Sequence, residues 1–107
     1  MSLLLVLALV TAPTTDVCES QRDDAIIKCA QDQFVAADAE MNQIWKRLKK
    51  YPNLIRVQRL WLAYRDLDCE TRNPADKSGS LFLAFKYGCL AELTKLRVED
   101  LRELSAR

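Results

Sequence analysis

The stretch QRLWLAYRDLDC, Gln58 to Cys69, decides how this chain folds. It carries Trp61 and Tyr64, an adjacent Arg65-Asp66 pair and Cys69 within about three helical turns. Val57, Leu60, Trp61, Tyr64 and Leu67 recur at helical spacing, so they are expected to form the core-facing side of a helix that starts near Asn53. Trp61 as a ligand-stacking platform is the alternative, and packing is the better reading of an aromatic in such a stripe. Arg65 falls beside that face and needs a carboxylate from a neighbouring helix.

Working outward, that neighbour precedes it. Ile26, Ala30, Phe34, Ala37, Met41, Ile44 and Leu48 step by fours and threes along one amphipathic face. The first helix is expected to begin near Ser20, where Ser20 and Asp23 have the spacing of an N-cap with an acidic third position. It should end at Tyr51, because Pro52 disfavours helix at the residue before it. Antiparallel packing about that turn brings Asp38 level with Arg65, and Asn42 near Gln58. A buried or half-buried pair of this kind fixes register more than it adds stability.

Downstream, RNPADKSGS (Arg72 to Ser80) is rich in turn residues and forms the one sizeable loop after the N-terminus. A last helix follows over about Leu83 to Leu104, with Leu90, Leu93, Leu96 or Arg97, Leu101 and Leu104 at helical spacing. The scarcity of glycine, Gly79 and Gly88 being the only two, and the absence of β-branched alternation argue for helices throughout. The fold class is therefore all-α, an antiparallel bundle of three main helices.

Four cysteines in 107 residues, with no histidine, suit an oxidising compartment and two disulfides. Three connectivities are possible. A helix from Gln21 to Tyr51 would be about 45 Å long, against about 30 Å for a globule of this size. It must protrude or bend near Cys29, and a Cys18–Cys29 bridge would brace that end. Cys69 closes the second helix and Cys89 opens the third, so antiparallel packing sets them level and makes Cys69–Cys89 the natural second bridge. Zinc is the competing use of cysteine, but the chain has no CxxC pair.

The first dozen residues, MSLLLVLALVTA, are an uncharged apolar run too short to span a bilayer and of the right length for a secretory signal. Residues 1–14 are read as a Sec-type signal peptide and 15–107 as the domain, with cleavage within Ala12 to Val17. A buried N-terminal helix is the alternative. Asp16 and Val17 before Cys18 do not make a lipid-attachment site, so no membrane anchor is expected and the protein should be periplasmic or secreted.

The charge balance excludes some functions. Sixteen basic and fifteen acidic residues give a net charge of +1 and no overall field for nucleic acid. Without histidine, the Ser-His and Cys-His nucleophilic systems are absent, and phosphate-binding glycine loops are absent too. Sequence neighbours such as Asp66 and Asp68 point to different sides of a helix, which argues against a glycosidase pair. No catalytic residue, cofactor or metal site is assigned, and no oligomeric state follows from the sequence.

The pattern of Cys18, Cys29, AADAEMN (Ala36 to Asn42), QRLWLAYRDLDC, Gly79-Ser80 and CLAELTKLR (Cys89 to Arg97) resembles the LprI-like lysozyme-inhibitor N-terminal domains, small secreted bacterial domains. The resemblance covers the whole expected mature chain. It implies a periplasmic, disulfide-bonded helical protein without enzymatic activity that blocks lysozyme. Gln58, Trp61, Tyr64, Arg65, Asp66, Thr94 and Arg97 carry over as motif positions, read mainly as an interhelical hydrogen-bonded network. A muramidase cleft holds two carboxyl groups, so an inhibitor needs a protruding loop with donors or cations. Arg72, Lys77, Ser78 and Ser80 are the candidates for that loop, with Asp23, Asp24 and Asp32 on the first helix as rim contacts. The alternative is an immunity, interaction or envelope-stress protein with another periplasmic or secreted partner.

Overall fold

A computed structural model describes Cys18 and residues 22–107. Three helices, α1 (Asp23–Lys46), α2 (Pro52–Arg72) and α3 (Ser80–Ser105), are joined by two short connections. The all-α antiparallel bundle expected from the sequence is present. The proposed signal peptide, its cleavage window and Ser20 lie outside the described residues.

The two cysteine pairs are those expected. Cys18–Cys29 has a Cα separation of 5.2 Å and Cys69–Cys89 one of 5.7 Å. α1 begins at Asp23, after Arg22 in an extended conformation (φ −93°, ψ 131°). From there α1 continues as one α-helix through Cys29, without a break.

At its other end α1 stops at Lys46 rather than Tyr51. The amides of Arg47, Leu48 and Tyr51 bond the carbonyl oxygens of Ile44, Trp45 and Leu48, each three residues back. This tighter turn drives Leu48 to complete burial. Tyr51 is extended (φ −94°, ψ 105°), as the residue before a proline prefers, and Pro52 opens α2, where its missing N–H has no partner to lose. Before α3, Asp76 accepts from the Ser78 amide through its side chain and from the Gly79 amide through its backbone. The turn is complete by Gly79, so α3 begins at Ser80, three residues earlier than the hydrophobic spacing suggested.

Helices α1 and α3 run parallel and α2 crosses them antiparallel. The α1–α3 register is fixed by three polar links: Ser80 to Asp23, Lys95 to Gln33 and Arg102 to Glu40. Between them the main core gathers Met41, Ile44 and Leu48 with Val98 and Leu101, walled by Trp45, Tyr51, Leu54, Trp61 and Leu104. A second cluster surrounds the Cys69–Cys89 bridge with Leu90, Phe34, Tyr87 and Leu93. The face expected of α1 is the one it buries. On α3, Arg97 takes the inward position and Leu96 is 54% exposed.

The orientation of α2 is a correction. Val57, Leu60, Tyr64 and Leu67 were expected in the core, yet they are 46%, 66%, 56% and 63% exposed. Only Trp61 of that set packs inward, against the main core. The buried side of α2 consists of Gln58, Arg65 and Cys69. Periodicity identified a stripe but could not tell which of two stripes turns inward. The bridge at Cys69 decides it: a disulfide to α3 points the Cys69 side of the helix at the bundle, and Gln58 and Arg65 share that side.

Candidate functional site

Because α2 turns polar residues inward, the interior between the helices is held by a charged seam centred on Arg65. This side chain is 9% exposed. Its Nε and Nη2 both lie 2.9 Å from Oδ1 of Asp66, and its Nη1 donates to Oγ1 of Thr94 at 3.2 Å. The same Nη1 is 3.6 Å from Oδ1 of Asp38 on α1, the carboxylate that antiparallel packing placed at its level. The guanidinium lies over Phe34 at 5.2 Å and over Trp61 at 5.5 Å, so one side chain of α2 touches both other helices.

Trp61 has a second cation on it. Arg97 of α3 sits 5.5 Å from the indole ring, and its Nε donates to Oε1 of Gln58 at 3.0 Å. Gln58 in turn donates to the sulfur of Met41 at 3.4 Å, one residue from the Asn42 neighbour that the register suggested. Burial pushes the Arg97 guanidinium below its ordinary value, opposed by the nearby Asp100 charge. A cation with a lowered folded-state value costs stability at every pH below that ordinary value, hence under all physiological conditions. Its Nη2 has no hydrogen-bond partner among the described residues. Arg97 contacts Trp61 and Gln58, both on α2. Beside the seam, Phe34, Arg65, Phe82, Tyr87 and Leu90 line an open cleft of about 440 Å³.

The motif residues Gln58, Trp61, Arg65, Asp66, Thr94 and Arg97 thus meet in one place, whereas Tyr64 stands apart on the outer side of α2. Phe34 and Met41 complete the seam, and spacing alone marked them only as core. No group of three or more Cys, Asp or Glu side chains is arranged to hold a metal among the described residues.

A second constellation forms at the end of the bundle where α1 and α3 both begin. Ser80 Oγ donates to Asp23 Oδ2 at 2.6 Å, joining the loop to the first turn of α1. The loop is shaped from within: Asn73 donates to the Phe82 carbonyl and accepts from the Ala75 amide, and Asp76 accepts from Ser78. Lys77 is exposed at the loop and makes no ion pair among the described residues. Arg72 is tied back, 2.8 Å from Asp68 and 3.7 Å from the Cys89 sulfur. Asp24 pairs with Arg22 at 3.0 Å. Asp32 is remote, about 13 Å further along α1 and paired with Lys28 at 2.8 Å.

The family model described as lysozyme inhibitor LprI matches residues 18–101, which include all four cysteines, the seam and the loop. The chain belongs to the LprI lysozyme-inhibitor family. An uncharacterized protein of Rhizobium meliloti (strain 1021) is 32% identical over 95 residues, covering 71% of this chain and 68% of that protein. No solved structure matches the chain. LprI is a family of inhibitors rather than catalysts. No helix among the described residues is long and apolar enough to cross a membrane.

Proposed function

We propose that this protein is an exported inhibitor of lysozyme that acts through the loop end of its bundle, without enzymatic activity of its own. Two disulfides in a small domain fit the periplasm or the exterior, where cysteines stay oxidised. The observation that carries the reading is the Ser80–Asp23 hydrogen bond, which puts the loop that bears Lys77 beside an acidic helix start. The loop brings Lys77 as a point charge for the carboxyl groups of a muramidase cleft. Its internal hydrogen bonds hold it in shape beforehand, so less ordering entropy is lost on binding. Asp23 and Asp24 lie at the rim, where they attract the basic lysozymes of animal type. In this geometry Ser80 orients Asp23 rather than entering the cleft, and neither Arg72 nor Asp32 takes part.

The test is muramidase inhibition by the parent and by a Lys77→Ala, Ser80→Ala double variant. The variant should inhibit at least about tenfold less well, with its helical content unchanged. Association of the parent should slow as salt rises, since exposed rim charges are screened within about 10 Å at 0.1 M. Equal inhibition by parent and variant would remove the loop from the mechanism. Failure of the parent against every lysozyme class would remove the function itself.

A further inference from the structure

The outward stripe of α2 reads the same from both ends. Asn53, Val57, Leu60, Tyr64, Leu67 and Thr71 follow at steps of four, three, four, three and four, and all six are exposed. The four apolar members are flanked at each end by one small polar residue. Such a run on a surface helix ordinarily marks a contact with another molecule. The order of these residues suits one occupant in particular, a second copy of the same helix running the opposite way. A two-fold axis between Leu60 and Tyr64 would set Val57 against Leu67 of the second copy, Leu60 against Tyr64, and Asn53 against Thr71. A closed pair of this kind is self-complementary, as a two-fold interface must be.

The charges point the same way. Arg56, Ala63 and Glu70 lie seven residues apart along one flank of the stripe, and all three are exposed. Neither Arg56 nor Glu70 has an ion-pair partner among the described residues. In an antiparallel pair, a flank faces the same flank of the other copy. Arg56 then meets Glu70 twice, with the small Ala63 side chains passing at the centre. Parallel pairing would instead oppose Arg56 to Arg56 and Glu70 to Glu70. We infer that the protein forms an antiparallel homodimer through α2, with Val57, Leu60, Tyr64 and Leu67 at its core and two Arg56–Glu70 ion pairs at its edge. The two loop ends would then lie at opposite ends of the dimer, each free to engage a partner. This inference does not rest on the lysozyme reading.

One helix face from each copy makes a small interface, so association should be weak, with monomer at ~1 µM and dimer predominating by ~200 µM. Sedimentation equilibrium on the disulfide-intact protein reads this directly. Leu60→Lys should remain monomeric at ~200 µM with its melting temperature, measured dilute, unchanged. The register is tested by charge exchange. Arg56→Glu alone opposes glutamate to glutamate, and Glu70→Arg alone opposes arginine to arginine, so each should dimerise less well than the parent. Mixed in equal amounts they should recover a heterodimer. A parent monomeric at ~200 µM would overturn the proposal, as would a dimer that survives Leu60→Lys or a mixture no better than its separate members. A monomeric parent whose lysozyme inhibition is lost on Leu60→Lys would assign the stripe to that partner instead and equally overturn the dimer.

Discussion

Arg65→Met is expected to destabilise the protein by about 3 kcal/mol, a large part of the 5–15 kcal/mol that holds a domain of this size folded. Methionine retains the volume and much of the stem packing, so the loss falls on the charged head. That head donates to Thr94 and Asp66, lies near Asp38 and covers the rings of Phe34 and Trp61. Thr94 is completely buried and would lose this donor. The two carboxylates are 38% and 63% exposed and would return to water, which keeps the cost at the lower end of that for a broken buried pair. A loss of this size lowers the melting temperature by roughly 10–25 °C in a small domain. Arg65→Lys should recover little of it, because an ammonium cannot divide itself between Asp66 and Thr94 as a planar fork does. Thermal melts by circular dichroism of the three proteins, at concentrations where each is monomeric, provide the measurement. A fall of less than about 4 °C for Arg65→Met would show that the seam contributes little.

Removing the Cys69–Cys89 bridge with serine at both positions is expected to cost a comparable amount. The cysteines are 20 residues apart, and freeing a loop of that length in the unfolded chain accounts for about 3 kcal/mol in the chain-entropy description. To this is added the burial of hydroxyls among Leu90, Phe34 and Leu93, where the sulfurs now pack. The bridge also sets which side of α2 turns inward, so the variant should lose the Arg65–Thr94 contact along with its stability. The Cys18–Cys29 bridge spans only 11 residues at the exposed start of α1, and its removal should cost less. Urea unfolding of each double-serine variant, compared with the parent, tests that order. A parent that unfolds at the same urea concentration with and without reductant would contradict it.

These expectations also mark what the amino-acid order carried and what it did not. The α1 face from Ile26 to Leu48 was legible because its apolar residues form one stripe and no competing stripe exists on that helix. The cysteine pairing was legible because helix ends and an antiparallel turn leave few levels at which sulfurs can meet. On α2 the same reasoning picked the wrong face. Val57, Leu60, Tyr64 and Leu67 form the better apolar stripe, and a helix that buries glutamine and arginine instead inverts the usual pattern. Arg65 and Cys69 contained the correction, since a bridged cysteine and an arginine needing a carboxylate both had to turn inward. The start of α3 shifted for a local reason: the Asp76 turn released the helix early. Of the partner-facing candidates, Lys77, Ser80, Asp23 and Asp24 meet at one end of the bundle. Asp32 lies about 13 Å further along α1, and Arg72 is tied back to Asp68 on its own helix, which spacing in a loop-and-helix sequence does not foretell.

The claim on which the rest depends is that α2 is held to the bundle by its polar side while its apolar stripe faces outward. Urea unfolding of a Leu60→Ser, Leu67→Ser double variant at ~1 µM, below the range of self-association, tests it most directly. With both leucines in solvent, the unfolding free energy should stay within about 0.5 kcal/mol of the parent. A loss of about 4 kcal/mol or more, the cost of opening two buried leucine sites, would contradict the account.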